Sequence, residues 1–173
     1  LLGDYPTSEP QLQLRLPTER YYEEEGRAEL TPRDFGILMH RVFENAATTD
    51  EIYTAIEAMT QDGVLDEKEA PRLRELVEKA LADPVTAEWF GGRWQVVRNE
   101  NEIILPGSGT TRRPDRVMTD GERAVVVDYK FGDRETARHR KQIREYLRLL
   151  RQMGYTRTEG YLWYVRLGRT EDR

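Results

Sequence analysis

Cysteine is absent from the chain. Its absence removes disulfides, cysteine nucleophiles, thiolate zinc sites and iron-sulfur clusters together. Any metal must therefore be held by oxygen ligands, with histidine as the one available nitrogen donor. Histidine is also scarce, with only His40 and His139 in 173 residues. No apolar run approaches the roughly 18 residues of a membrane span, and no basic segment followed by an apolar one reads as a secretory leader. No membrane partner is expected, and the cytoplasm is the expected location. The chain opens on Leu1 rather than Met, which suggests a segment of a longer polypeptide.

Positive charge is in deficit, with 27 Lys and Arg against 32 Asp and Glu, a net of −5. Taken as an average this argues against a nucleic-acid partner, but the charge is polarised. Residues 1–90 carry 9 basic and 20 acidic residues, a net of −11; residues 91–173 carry 18 and 12, a net of +6. An anionic ligand on the C-terminal half is one reading of that asymmetry, and solvated faces are the other. The 38% hydrophobic content suits one globular domain with its own core.

Residues 1–30 read as a linker followed by a short strand in which Leu12, Leu14 and Leu16 alternate with polar residues. A helical part is predicted over 31–90. Thr31, Pro32 and Asp34 form a helix start before Phe35, Leu38, Met39, Val42 and Phe43. A second helix follows the Thr48-Thr49-Asp50-Glu51 cap and stops near Gly63. A third carries Leu73, Leu76, Val77, Ala80 and Leu81 to the break at Asp83-Pro84, and a short stretch runs to Phe90. From 91 to 173 the pattern changes to strands. Trp94–Arg98, Glu102–Leu105 and Arg113–Met118 look extended, and Thr119-Asp120-Gly121 turns the chain into Ala124–Lys130, an apolar run with the character of a central strand. A helix over about 136–153 and a last strand over 160–167 complete the predicted order. The fold class expected is α/β, with a mixed central sheet flanked by helices and preceded by a helical subdomain.

Asp115 and the triplet Asp128-Tyr129-Lys130 fall on two strands joined by a tight turn. Adjacent strands lie about 5 Å apart, so the two carboxylates can reach one ion, with oxygens within about 5 Å of each other. Asp128 and Lys130, two apart, share a strand face. Hard carboxylates hold Mg²⁺, and a nearby lysine can orient or activate a water on a phosphodiester. Asp66-Glu67-Lys68 repeats the acidic-x-Lys triplet but lacks a hydrophobic strand before it, and reads as a capping, solvated segment. A salt bridge of Asp115 or Asp128 with Lys130, Arg113 or Arg116 accounts for the same residues without chemistry. His40 on its apolar helix face reads by itself as a hydrogen-bonded core residue. Glu44, one turn on, either orients it or faces solvent.

Taken together, Arg113-Pro114-Asp115-Arg116-Val117, Val126-Val127-Asp128-Tyr129-Lys130-Phe131-Gly132 and Gln142-x-x-x-Tyr146 resemble the C-terminal PD-(D/E)XK nuclease domains of RecB- and AddA-type helicase-nucleases. Gly36-x-x-x-His40 resembles the element preceding those motifs, and Asn99–Ile103 falls where the family has a glutamate-bearing strand, with Glu100 and Glu102 both open as the match. The resemblance covers about residues 31–166 in order. It implies a restriction-endonuclease-like core in a domain over 31–173. It implies Asp115 and Asp128 as catalytic metal ligands, His40 and the Tyr129 backbone carbonyl as further ligands, and Lys130 as the catalytic lysine. The cofactor implied is Mg²⁺, with Mn²⁺ as its substitute and no iron-sulfur cluster. Gln142 and Tyr146 would flank the site. The same helix carries Arg138, Arg140, Arg144 and Arg148, a ridge able to follow phosphates. The expected activity is metal-dependent DNA cleavage, exonucleolytic or endonucleolytic, within a helicase-nuclease of DNA repair or recombination. The rivals are an inactive module of the same fold that binds single-stranded DNA, and a domain that docks on a helicase partner through its acidic half.

Overall fold

The structure, a computed structural model, describes residues 30–99, 103–104, 111–130, 137–165 and 169–172. Four helices come first: α1 (Pro32–Glu44), α2 (Thr49–Gln61), α3 (Ala70–Ala80) and α4 (Pro84–Trp89). The start of α1 is fixed by a reciprocal cap in which Thr31 Oγ1 accepts from the Asp34 amide at 3.2 Å and Asp34 Oδ2 accepts from the Thr31 amide at 2.8 Å. Thr48 and Asp83 cap α2 and α4 through their own side-chain oxygens. These caps satisfy amides that the helix itself leaves without partners. Asp66 folds back on its own turn, taking the Lys68 amide at 2.9 Å, and Glu67 and Lys68 are exposed. The second acidic-x-Lys triplet is thus a solvated turn before α3. The expected strand around Leu12–Leu16 lies outside the described residues.

The sheet that follows is mixed, with strand order β1-β4-β5-β6-β7. Its members are β1 (Val96–Asn99), β4 (Arg116–Asp120), β5 (Arg123–Lys130), β6 (Arg157–Tyr164) and β7 (Arg169–Asp172), while β2 (Ile103–Ile104) and β3 (Thr111–Arg112) pair separately. Strand β5 is the hinge of the topology, antiparallel to β4 and parallel to β6. A parallel neighbour requires a crossover, and helix α5 (Ala137–Gln152) supplies it. The α/β architecture therefore matches the expectation, with three adjustments. The stretch read as one strand over 113–118 becomes β4 only from Arg116, with residues 113–115 outside any strand. The strand read as 160–167 starts at Arg157 because its polar first residues complete the ladder with β5. Strand β7 is an addition that no apolar pattern marks.

Alternation along β5 sorts the core into two layers. Val125, Val127 and Tyr129 join the cluster built from α1–α4, with Phe43, Ile52, Ile56, Trp89 and Trp163. Ala124 and Val126 join the opposite cluster, under Ile143, Tyr146, Leu147 and Leu150 of α5. Close approach of α5 depends on Gly160 of β6. A Cβ there would sit 2.6 Å from Ile143 Cγ2 and 3.2 Å from both Leu147 methyls. Gly160→Ala should destabilise the protein by about 1–3 kcal/mol through overpacking, read as a lower urea midpoint. An unchanged midpoint would mean that α5 does not bear on β6 as described.

Candidate active site

The hairpin between β4 and β5 has a two-residue link, Gly121-Glu122, with Gly121 in the left-handed region at φ +57°. So short a link fixes the register, from Asp120 opposite Arg123 to Arg116 opposite Val127. Asp115 sits at a bend immediately before β4, and extending this register by one step sets it beside Asp128. Directly opposed residues have Cβ atoms about 4.5–5.5 Å apart. Asp115 is held by a hydrogen bond that its Oδ2 accepts from the Tyr129 amide at 2.5 Å. Its side chain is 18% exposed, and Asp128 is 3% exposed.

Lys130 lies on the same face of β5 and its Nζ contacts Asp128 Oδ2. That ion pair does not neutralise the site. Burial pushes the Asp128 carboxyl up to about 6, and the charge of Asp115 pushes in the same direction against the opposing pull of Lys130. This lies above the usual carboxylate value of 3.8, so the site disfavours the charged form. Desolvation and carboxylate repulsion together outweigh the lysine.

Helix α1 brings His40 to the same end of the sheet. Its Nε2 lies 3.6 Å from Asp115 Oδ1 and its Nδ1 lies 3.4 Å from Glu44 Oε2. The ring meets Tyr129 edge-on, with centroids 6.1 Å apart. The i, i+4 spacing thus places Glu44 behind the imidazole and leaves the other nitrogen facing Asp115.

The α5 residues divide by depth. Tyr146 is fully buried, and its hydroxyl accepts from Gln142 Nε2 at 3.0 Å. Gln142 is half-buried, so of the two it is the side chain placed to reach outward, with Tyr146 supporting it from the core. Arg138, Arg140, Arg144 and Arg148 are exposed. Ile143 packs on Gly160, which is level with Val126. Asp128 is two strand residues, about 6.6 Å, beyond Val126. As the crossover between parallel β5 and β6, α5 starts at the Asp128 end of β5, so Arg138 is in its turn toward the site and Arg148 is in a turn toward the other end.

The structure corrects one expectation. Arg116 reads from sequence as a candidate ion-pair partner for the carboxylates, but it faces the other way and is fully buried. Its Nη1 donates to Ala46 O at 2.6 Å and to Asn99 Oδ1 at 3.2 Å, and its Nη2 donates to Ala47 O and Trp89 O at 2.7 Å each. The guanidinium also covers the Phe90 ring at 4.0 Å. The available signal is parity, since Arg116 shares its strand face with Met118 and so points into the core. Glu100, Glu102, Phe131 and Gly132 lie outside the described residues.

A family-wide sequence profile, that of the PD-(D/E)XK nuclease superfamily, matches residues 11–173. The chain belongs to the PD-(D/E)XK nuclease superfamily. No curated protein sequence matches it. Nucleases of this superfamily generally use divalent metal ions, and the donor set of this member fits one. Two opposed carboxylates carry negative charge that Lys130 alone leaves under-compensated. Among the described residues no three His, Cys, Asp or Glu side chains enclose a cation by themselves.

The charge cost at Asp128 has a measurable sign. A carboxyl whose folded pKa is raised destabilises the folded state above that pKa, and the penalty fades as pH falls from about 6 toward the unfolded value of 3.8. In chelator, Asp128→Asn should therefore stabilise the nuclease by about 1–3 kcal/mol at pH 7.5, with the gain shrinking toward pH 4. A fall in melting temperature at pH 7.5 would contradict this balance.

Proposed function

We propose that the chain is a Mg²⁺-dependent deoxyribonuclease domain, with Mn²⁺ as a substitute ion, and that it serves a helicase-nuclease of DNA repair or recombination. The observation that carries the chemistry is the opposition of Asp115 and Asp128 at the open end of the β4-β5 hairpin, with Lys130 beside them. Asp115, Asp128 and His40 would hold the ion together with the Tyr129 backbone carbonyl. Bound there, a divalent ion polarises a phosphodiester and lowers the pKa of an attached water.

The protein groups have separable tasks. Asp115 is kept in place by the Tyr129 amide, so its outer oxygen is presented without a search through rotamers. Lys130 rests on Asp128 and can turn toward an attacking water or a phosphate oxygen with little movement of its stem. Gln142, braced by Tyr146, would meet the substrate beside the scissile group. Arg138, in the first turn of α5, would meet phosphates beside the site, and Arg144 and Arg148 would carry a basic track away from it for the phosphates that flank the cut. The attachment to a helicase rests on the resemblance of the motif series to RecB- and AddA-type domains.

Cleavage of single- and double-stranded DNA by the purified chain, with Mg²⁺ and with chelator, tests the proposal. Asp128→Asn and Lys130→Ala should each lower the rate by about 100-fold or more, while DNA binding survives. Replacing Arg138, Arg144 and Arg148 together should weaken binding and flatten its salt dependence, by a slope of about 0.7–0.9 for each phosphate that is no longer neutralised. Undiminished cleavage by Asp128→Asn would refute the mechanism. DNA binding by a wild-type chain that never cleaves would favour a binding module instead.

A further inference from the structure

The site is assembled from two layers of the fold: His40 comes from α1, whereas Asp115 and Asp128 come from the sheet. Something must set the distance between them. The apolar contacts between layers are non-directional and tolerate sliding. Arg123 ties the far end of β5 to Glu88 of α4, and among the described residues the directional contacts near the site gather at one other residue. Arg116 follows Asp115 in sequence and points to the opposite face of β4, into the helical layer. There it ties together the chain just after α1, through Ala46 O and Ala47 O, and the end of α4, through Trp89 O. Asn99, opposite Arg116 in the β1-β4 register, donates to the same Ala46 carbonyl at 3.2 Å and accepts from the guanidinium.

We propose that Arg116, with Asn99, is a positioning residue for the metal site: it fixes the height of α1 against β4 and thereby the reach of His40 to Asp115. This rests on the metal-binding role given above. The chemistry of the guanidinium suits the task. Its planar fork spans three carbonyls that diverge from two segments, which a lysine ammonium on a single flexible stem cannot do in the same geometry. Two of the carbonyls belong to the link between α1 and α2, and the third to the last residue of α4, a helix C-terminus where a cationic donor is favoured. Arg116 itself touches neither carboxylate in the manner of an ion-pair partner, so its influence on a bound ion passes through the two segments it joins.

The test is Mn²⁺ affinity measured by electron paramagnetic resonance on the 173-residue chain, at a temperature where every variant is folded. Arg116→Met should weaken Mn²⁺ binding by about 10-fold or more, in the range that follows removal of groups that orient metal ligands. Arg116→Lys should recover only part of it. Leu150→Ala, buried in the opposite cluster, reports what destabilisation alone does, and its Mn²⁺ affinity should equal that of the wild type. The decisive comparison is a double-mutant cycle with His40→Ala. If Arg116 acts by placing His40, Arg116→Met should add less than about 3-fold once the imidazole is gone. An affinity unchanged in Arg116→Met, or the full loss retained in the His40→Ala background, overturns the proposal. If Arg116→Met does not fold, Asn99→Ala enters the same cycle and should show a smaller loss that also disappears with His40. No Mn²⁺ binding by the wild type would sink the metal-site reading itself, a failure distinct from normal binding that is indifferent to Arg116.

Discussion

Two carboxylates face each other at the end of an antiparallel hairpin, and the surrounding structure is organised around that opposition. The link of two residues between β4 and β5 gives the ladder no freedom to slip, so Asp115 and Asp128 meet because of a turn at the far end of the strands. Burial then makes the meeting costly. Burial raises the Asp128 carboxyl, the neighbouring Asp115 charge raises it further, and Lys130 offsets only part. In the proposed mechanism that residual negative charge between two hard oxygens is what a divalent cation would offset, so the feature that weakens the metal-free fold would be the source of its affinity.

The two faces of the sheet contribute different parts to this arrangement. On the α5 face lie Asp128, Lys130 and Gln142, with the exposed arginines of α5 beyond them, the groups proposed to address the phosphodiester. On the α1 face, Tyr129 and the aromatic cluster of Phe43, Phe90 and Trp163 form a rigid bed under His40. The Asp115 carboxylate joins the faces, because it reaches the Tyr129 amide on one side and the His40 imidazole on the other. Exposed ion pairs such as Lys79 with Glu75 contribute little by comparison. The network in which Arg123 holds both Glu88 and Glu159 lies at the opposite end of β5 from the site.

What is legible in the sequence is local or periodic. The α1 cap is chemistry within four residues, and the β5 run from Ala124 to Val127 is apolar because both faces of that strand are covered. The order Asp115, Asp128, Lys130 places the carboxylates because a tight turn separates their strands. Contacts at long sequence distance are not legible. The Arg116 partners are 17 to 70 residues away, so parity hints that the charge is buried while nothing nearby reveals what satisfies it. Strand β7, Arg-Thr-Glu-Asp, has no apolar alternation and owes its conformation to pairing with β6. Depth along α5 is also hidden: the Gln142-x-x-x-Tyr146 spacing shows a shared face but not that the tyrosine is sealed beneath it.

A crystal of the chain soaked in Mn²⁺, with the ion located by its anomalous scattering, tests the shared carboxylate site most directly. Coordination by the opposed pair predicts one principal peak about 2.0–2.6 Å from an oxygen of Asp115 and an oxygen of Asp128, with the Lys130 ammonium displaced from Asp128. A peak bound to one of these carboxylates alone, or a soaked crystal in which Lys130 still covers Asp128 and no ion lies between the two, would contradict the account.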